Sequence, residues 1–102
     1  MSRLKIVLSR EADQDLKDIL QYTLATWGAT QMDVYAAAID KGLKLLAVNP
    51  RLGRARNDLF PGCRSFQVEQ HTIFYRVDEI VLSIARILHQ RMNAKRHIKA
   101  ID

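Results

Sequence analysis

At 102 residues, with 48% apolar and 26% charged side chains and a formal net charge of +5, the chain has the composition of one soluble globular domain, which we expect to span residues 1–102. The single cysteine, Cys63, excludes an internal disulfide and favours a reducing cytoplasm. No apolar run approaches the roughly 18 residues of a membrane span, and the N-terminal run is too short for a signal peptide. We therefore expect a cytoplasmic protein that has no membrane partner.

The first half of the chain predicts a strand followed by two helices. Residues 4–8 are apolar and β-branched, as in a short strand, and Ser9 suits the N-cap of a helix that ends at Gly28. The predicted buried stripe of this helix is Ala12, Leu16, Ile19, Leu20, Thr23 and Trp27. A second helix is predicted over residues 30–48, because Asn49-Pro50 follows. The short connection makes the pair an antiparallel hairpin.

The second half predicts a loop and then three strands. The loop, residues 49–63, is rich in glycine, proline and arginine, and the strands are expected at residues 64–69, 72–77 and 80–88. Their short connections indicate antiparallel hairpins, and the last strand is apolar on both faces, as in a strand covered on both sides. The predicted fold class is therefore α+β, in the order β-α-α-β-β-β, with the helical hairpin packed on a small, mostly antiparallel sheet. A basic tail, residues 91–102, either adds a short helix or stays mobile.

The positive charge is concentrated in the second half. Residues 1–50 carry six basic and six acidic side chains, whereas residues 51–102 carry ten basic and five acidic ones. This asymmetry indicates either an acidic partner, nucleic acid or protein, or a solvated surface that aids solubility.

Two arginines fall on strand faces that are predicted to point inward. Arg64 is predicted to lie on the same face of its strand as the apolar residues. Arg86 has the parity of three apolar residues of the last strand, which are Leu82, Ile84 and Leu88. Because a charge on an apolar face is costly unless it is paired, each arginine is expected either in a salt bridge, with Glu69 or an acid of the first helix, or in a cationic groove. His89 and Arg91 would join such a groove, which would bind phosphate or carboxylate.

Arg51, Arg54 and Arg56 form a second basic cluster, beside glycines that let a partner approach the loop closely. A merely solvated loop is the alternative. The aromatic residues on or beside the helix stripes are predicted to pack in the core, and they are Tyr22, Trp27 and Tyr35.

Catalytic and metal-binding signatures are missing from the sequence. Its four glycines are isolated, its three histidines are scattered, and Cys63 has no neighbouring cysteine, which favours a small packed residue over a nucleophile. We therefore expect no cofactor, no metal site and no catalytic residue.

Several segments resemble, in order and spacing, the ParE toxins of the RelE/ParE superfamily. They are the run Tyr22 to Gly28 with Tyr35, the loop 49–54, the strand starts 64–66 and 71–76, and the C-terminal run 86–93 with Arg96 and His97. Together these segments span almost the whole chain, so the series is far more specific than any one of them.

The resemblance implies a toxin of a type II toxin–antitoxin system that inhibits DNA gyrase and replication without catalytic activity of its own. Its partner would be a ParD-like antitoxin, commonly a ribbon-helix-helix protein, and operator DNA would be bound only through the complex. Target-binding residues are expected at the basic C-terminal end and sheet, namely Arg64, Arg86, His89 and Arg91. Antitoxin-binding residues are expected along the hairpin and sheet edge, namely Tyr22, Trp27, Arg51, Arg54, Arg56 and Arg76.

Two alternatives remain open. RelE-type relatives cleave messenger RNA on the ribosome with lysines, arginines and a C-terminal tyrosine, and such cleavage needs a base, an acid and cations. Arg64, Arg86 and Arg91 would supply the cations, but no tyrosine follows Tyr75, which favours gyrase. The other alternative is a non-toxic protein that retains antitoxin binding or acts as a co-repressor.

Overall fold

The hairpin and sheet follow the predicted order, with one strand added. The structure is a computed structural model and describes residues 3–98. Its elements are β1 (Lys5–Leu8), α1 (Arg10–Trp27), α2 (Ala29–Val48), a 3-10 turn (Pro50–Leu52), β2 (Arg54–Ala55), β3 (Arg64–Val68), β4 (His71–Asp78), β5 (Val81–His89) and α3 (Ala94–His97). The sheet order is β1-β5-β4-β3-β2, with β1 parallel to β5 and the other pairs antiparallel. The predicted α+β fold class is confirmed, and no helix of the described residues is long and apolar enough to cross a membrane.

The ends of α1 form as the sequence predicts. Ser9 has extended backbone angles, and its Oγ accepts a hydrogen bond from the Ala12 amide at 2.9 Å. The same hydroxyl donates to the Ala85 carbonyl at 2.7 Å, so the cap also ties α1 to β5. Gly28 separates the helices at a φ of 94°, a conformation that side-chain-bearing residues rarely adopt.

The loop predicted over residues 49–63 is partly wrong, because Arg54–Ala55 forms β2 and pairs with β3. A two-residue strand is too short to show alternation, so its pairing depends on the neighbouring edge rather than on its own sequence. The predicted tail contains α3, while its residues 99–102 lie outside the described residues.

Both faces of the sheet carry buried side chains. On the helix side the core is Ala12, Ile39, Leu43, Leu46, Ala47, Val68, Ile73, Tyr75, Leu82, Ile84 and Ile87. The outer face has a smaller cluster, formed by Leu59, Phe60, Cys63, Phe74, Leu88 and Ile98. The last part of the predicted loop and Ile98 therefore cover one end of the outer face.

The prediction of which β5 side chains face the helices is wrong beyond Ile84. Phe74 pairs with Arg86 and Tyr75 with Ile84, so Ala85 is an extra residue in β5. Because such a β-bulge shifts the alternation by one residue, Leu88 packs on the outer face while Ile84 packs under the helices.

Two aromatic residues predicted to pack in the core are exposed instead. The Trp27 and Tyr22 side chains are 70% and 67% exposed, whereas Thr23, between them on α1, is buried. Tyr35 is half-buried. Helical periodicity gives the direction of the core-facing stripe but not how far along the helix the core extends, and the core ends before the last turn of α1.

Candidate functional site

An aromatic groove lies where the turn of the helical hairpin meets the ends of β4 and β5. We define the aromatic groove by Tyr22, Trp27, Tyr35, His71, His89 and Met92. Its volume is about 920 Å³. Trp27, Tyr22 and Met92 are exposed, and Ile19 and Thr23 of α1 extend the same wall. Exposed aromatic side chains around a concave apolar surface are the usual anchors of protein–protein contacts.

The base of the aromatic groove is a chain of polar aromatic contacts. The Tyr35 hydroxyl is hydrogen-bonded to Nδ1 of His71 and also accepts from the Gln70 amide at 3.2 Å. His71 pairs across the sheet with His89, with ring centroids 5.2 Å apart and nearly perpendicular planes. Burial and the neighbouring His89 lower the pKa of His71, which therefore favours the neutral ring that can accept from Tyr35.

The loop that carries Arg51 and Arg54 is fixed by Tyr75. The hydroxyl of this buried tyrosine accepts from the Gly53 amide at 2.9 Å and donates to the Pro50 carbonyl at 2.6 Å. Arg64 donates through Nη1 to the Gly53 carbonyl at 2.7 Å. Arg64 thus holds the loop in place, while Arg51 and Arg54 remain exposed.

Arg86 is engaged inside the protein. Its Nε donates to Oδ2 of Asp15 at 2.7 Å and its Nη2 to Oδ1 at 2.9 Å, with both side chains mostly buried. Of the two alternatives for this arginine, the salt bridge with an acid of the first helix is therefore the one observed. The hydrogen bond to Asp15 raises the pKa of Arg86.

The remaining predicted cations differ in their surroundings. Arg76 donates to Asp78 at 3.2 Å and lines a cleft of about 640 Å³ on the outer face, beside Phe60 and Ile98. Arg56 holds Asp58 at 3.0 Å through two nitrogens. Arg91 is exposed, and its amide donates to Nδ1 of His89 at 3.1 Å.

The structure therefore separates the predicted site residues into groups. Tyr22, Trp27 and His89 share the aromatic groove, whereas Arg54, Arg56 and His89 line a second groove on the outer face. Arg64 and Arg86 sit in internal contacts apart from both. Sequence reasoning had not assigned His71 and Met92 to a site. Both residues lie in segments that resemble the family, 71–76 and 86–93, but nothing in the sequence showed that they share a groove.

Possible metal ligands do not converge in the part of the chain that the structure describes, where no group of three or more His, Cys, Asp or Glu side chains could hold an ion. Cys63 is buried, and burial raises the pKa of its thiol to about 11, so it lies far from the thiolate form at neutral pH.

Comparison with known proteins connects these features to one family. The profile of the family described as the ParE toxin of the type II toxin–antitoxin system parDE matches residues 6–94. The chain is 36% identical over 95 residues to the toxin ParE1 of Mycobacterium tuberculosis, covering 92% of this chain and 97% of that protein. It is 37% identical over 89 residues to the toxin ParE of Escherichia coli, covering 85% of each.

Two solved structures share the fold. The chromosomal ParDE toxin–antitoxin system from P. aeruginosa superposes with a TM-score of 0.72 at 22% identity, covering 85% of this chain and 96% of that one. The RelBE2 toxin–antitoxin complex from Mycobacterium tuberculosis gives a TM-score of 0.65 at 20% identity, covering 87% and 100%. With the family profile spanning most of its length and relatives above one-third identity, the chain belongs to the ParE toxin family of type II toxin–antitoxin systems.

Proposed function

We propose that this toxin inhibits DNA gyrase, without catalysing a reaction of its own, and is neutralised by a ParD-like antitoxin. The observation that carries the proposal is membership of the ParE family over residues 6–94. A ribbon-helix-helix antitoxin is expected, and operator DNA would be reached only through the complex.

The aromatic groove is the proposed site for a segment of the antitoxin. Trp27 and Tyr22 expose most of their surface, and large aromatic side chains contribute much of the binding energy where a partner buries them. One of the solved neighbours is the chromosomal ParDE toxin–antitoxin system from P. aeruginosa. Arg51, Arg54, Arg56 and Arg76 remain proposed partner contacts at the sheet edge and outer face.

We propose that gyrase contacts the toxin at the C-terminal end of β5, through His89 and Arg91. Arg64 and Arg86 were expected to join them, and we now propose that these two act indirectly. Arg64 holds the Gly53 loop, and Arg86 holds the carbonyl of His97 at 2.8 Å through Nη1. Replacing either arginine would therefore shift the surface around it rather than remove a direct contact with gyrase.

The RelE-like alternative receives less support from this arrangement. Arg64 and Arg86 were two of the three cations available to stabilise a phosphorane, and both already have internal partners. An arginine that is already hydrogen-bonded within the protein is poorly placed to stabilise the negative charge that develops on a substrate.

The test is supercoiling of relaxed plasmid by purified gyrase with and without the protein, alongside a ribosome-dependent RNA cleavage assay. We expect inhibition of supercoiling that the cognate antitoxin reverses, with the RNA left intact. Active gyrase together with cleaved messenger would overturn the proposal and favour the RelE-like alternative. If neither target were affected while the antitoxin still bound, the chain would be a non-toxic binding protein.

A further inference from the structure

The two histidines at the base of the aromatic groove share one hydrogen-bonding pattern. The Tyr35 hydroxyl accepts from the Gln70 amide, so its own proton is left to donate to Nδ1 of His71. The Arg91 amide donates to Nδ1 of His89 at 3.1 Å. Because a ring nitrogen that accepts a hydrogen bond carries no proton, each neutral ring carries its proton on Nε2.

The Nε2–H groups of both rings are available to a partner. Within residues 3–98, neither group has a hydrogen-bond partner, and no unpartnered polar atom of a side chain is buried. His71 and His89 pair directly across the sheet, with ring centroids 5.2 Å apart, so their donors belong to one small area of the groove. The base of the aromatic groove therefore offers two neighbouring N–H donors to an acceptor group that has two oxygens.

The surroundings of these donors favour a carboxylate over a phosphate. In the part of the chain that the structure describes, no lysine or arginine lines the aromatic groove, so it lacks the permanent cations that usually hold phosphate. Its walls include Trp27 and Tyr22, which suit an apolar protein segment. The net charge of +5 favours an acidic segment.

The toxin's own acids around the histidine pair are engaged elsewhere or open to solvent. Asp15, whose charge acts on His71, is held by Arg86. Asp18 lines the groove but is exposed, and its Oδ1 accepts from the Gln14 side chain at 2.9 Å. Glu69, in the turn before β4, is exposed as well. The two Nε2–H groups are therefore left to a carboxylate from outside the chain.

His71 can take up a proton without losing its hydrogen bond, whereas His89 cannot. If Nδ1 of His71 is protonated, the Tyr35 hydroxyl can rotate and accept from it. The Arg91 amide can only donate, so a proton on Nδ1 of His89 would break that contact. A carboxylate beside the rings would favour the charged form and raise the pKa of His71, which burial and the neighbouring His89 lower in the free protein.

We propose that an acidic side chain of the antitoxin, Asp or Glu, binds the Nε2–H groups of His71 and His89. Protonation of His71 would accompany binding, and apolar residues beside the acid would pack on Trp27 and Tyr22. Because His89 is also the proposed gyrase contact, the bound acid would cover it and neutralise the toxin directly. The inference rests on the proposed antitoxin function and adds the chemistry of the contact.

The test measures binding of the purified toxin to its cognate antitoxin by isothermal titration calorimetry at pH 8 and pH 6. At each pH, two buffers of different ionisation enthalpy are compared, which counts the protons taken up on binding. We expect proton uptake and an affinity about tenfold tighter at pH 6 than at pH 8. Long-range proton–nitrogen NMR spectra of the free toxin at pH 8 should show both rings protonated on Nε2.

The decisive variant is His71→Gln, because glutamine keeps an N–H donor but takes up no proton. It should reduce the pH effect to less than about twofold. His89→Phe keeps a ring without the donor, and it should weaken binding about tenfold at both pH values. The matched control is His97→Gln, since this third histidine lines the cleft on the outer face, and it should keep the pH effect of the parent.

The acid is identified from the antitoxin side. Each aspartate of the antitoxin is replaced by asparagine, and each glutamate by glutamine, one at a time. One replacement should remove the pH effect with the parent toxin and cause no further loss of it with His71→Gln, because both changes act on the same contact.

Several results would overturn the proposal. His71→Gln could keep the pH effect, or His97→Gln could lose it equally. Affinity of the parent that is independent of pH would place a neutral acceptor on the two histidines and leave the antitoxin function standing. An antitoxin that binds at neither pH would overturn both the inference and the proposed function. Circular dichroism of every variant at both pH values confirms folding.

Discussion

Arg86 of β5 and Asp15 of α1 are joined by two hydrogen bonds, at 2.7 and 2.9 Å. Oδ2 of Asp15 also accepts from the Ile87 amide at 3.0 Å, and Arg86 reaches the His97 carbonyl. One ion pair therefore links the helical hairpin, the sheet and the C-terminal turn. It lies next to the bulge in β5 and beyond Ile84, the last residue of β5 that pairs with β1, so the side chain of Asp15 supplies an acceptor for the Ile87 amide.

Replacing Arg86 should destabilise the protein substantially. Arg86→Ala leaves the carboxylate of Asp15 mostly buried and without its cation, and such a loss costs about 3 kcal/mol where a buried pair is broken. Urea unfolding followed by circular dichroism measures the change. In a double-mutant cycle with Asp15→Ala, we expect the two losses to be far from additive, because either substitution removes the same interaction.

The exposed pair Asp13–Lys17, at 2.9 Å, is the matched control for this cycle. It joins adjacent turns of α1 and is open to solvent, so Asp13→Ala should cost only about 0.5 kcal/mol. Equal losses for Asp13→Ala and Asp15→Ala would contradict a structural role for the buried pair.

The sequence predicted what local chemistry determines and missed what depends on distant partners. Ser9 and Gly28 mark the ends of α1 through their own backbone and side-chain preferences, and both predictions were confirmed. Arg86 was recognised as a charge in need of a partner, and an acid of the first helix was one of the expected partners, but nothing local singled out Asp15, 71 residues away.

Sequence patterns also did not show where the packing of the core changes face or where the core ends. The bulge at Ala85 reversed the parity of Leu88, because an inserted residue leaves no mark in an apolar strand. The exposure of Trp27 depends on where the core ends beneath α1. For the same reason, residues as separate in sequence as Tyr22 and His71 were not predicted to share a groove.

Gly53 should not tolerate a side chain. A Cβ at this position would lie 2.3 Å from the Tyr75 hydroxyl, whose two hydrogen bonds fix the loop. Gly53→Ala should therefore lower the free energy of unfolding by about 2 kcal/mol, as expected for overpacking, when measured by urea denaturation. Tyr75→Phe removes the closest clashing atom but keeps the ring carbons Cε1 and Cζ, which would lie 2.8 Å from the new Cβ, so the double variant should lose only somewhat less than the sum of the single losses. If the losses of the two single variants simply add in the double variant, the new Cβ does not act through Tyr75, and the clash is relieved elsewhere in the loop.

Acidification should weaken the fold through His71. Burial and the neighbouring His89 lower its pKa, opposed by Asp15, so the unfolded chain takes up a proton at higher pH than the folded one. The stabilising contribution is complete above the ordinary histidine pKa of about 6.5 and is lost as the pH falls through the lower folded value. The urea midpoint should fall between pH 8 and pH 5, and His71→Gln should reduce that fall. An identical pH dependence in the variant would contradict the role of this ring.

Trp27 should matter for binding the antitoxin and not for folding. Its side chain is 70% exposed in the aromatic groove, so Trp27→Ala should change the free energy of unfolding by less than about 0.5 kcal/mol. If a partner segment buries this ring, the same change should weaken antitoxin binding by about 30-fold, the equivalent of a 2 kcal/mol hot spot. Isothermal titration calorimetry with the cognate antitoxin measures the effect. Val48→Ala, a substitution at an exposed apolar residue near the other end of the hairpin, is the control and should bind like the parent. Parent-like affinity in Trp27→Ala would remove the aromatic groove from the antitoxin interface.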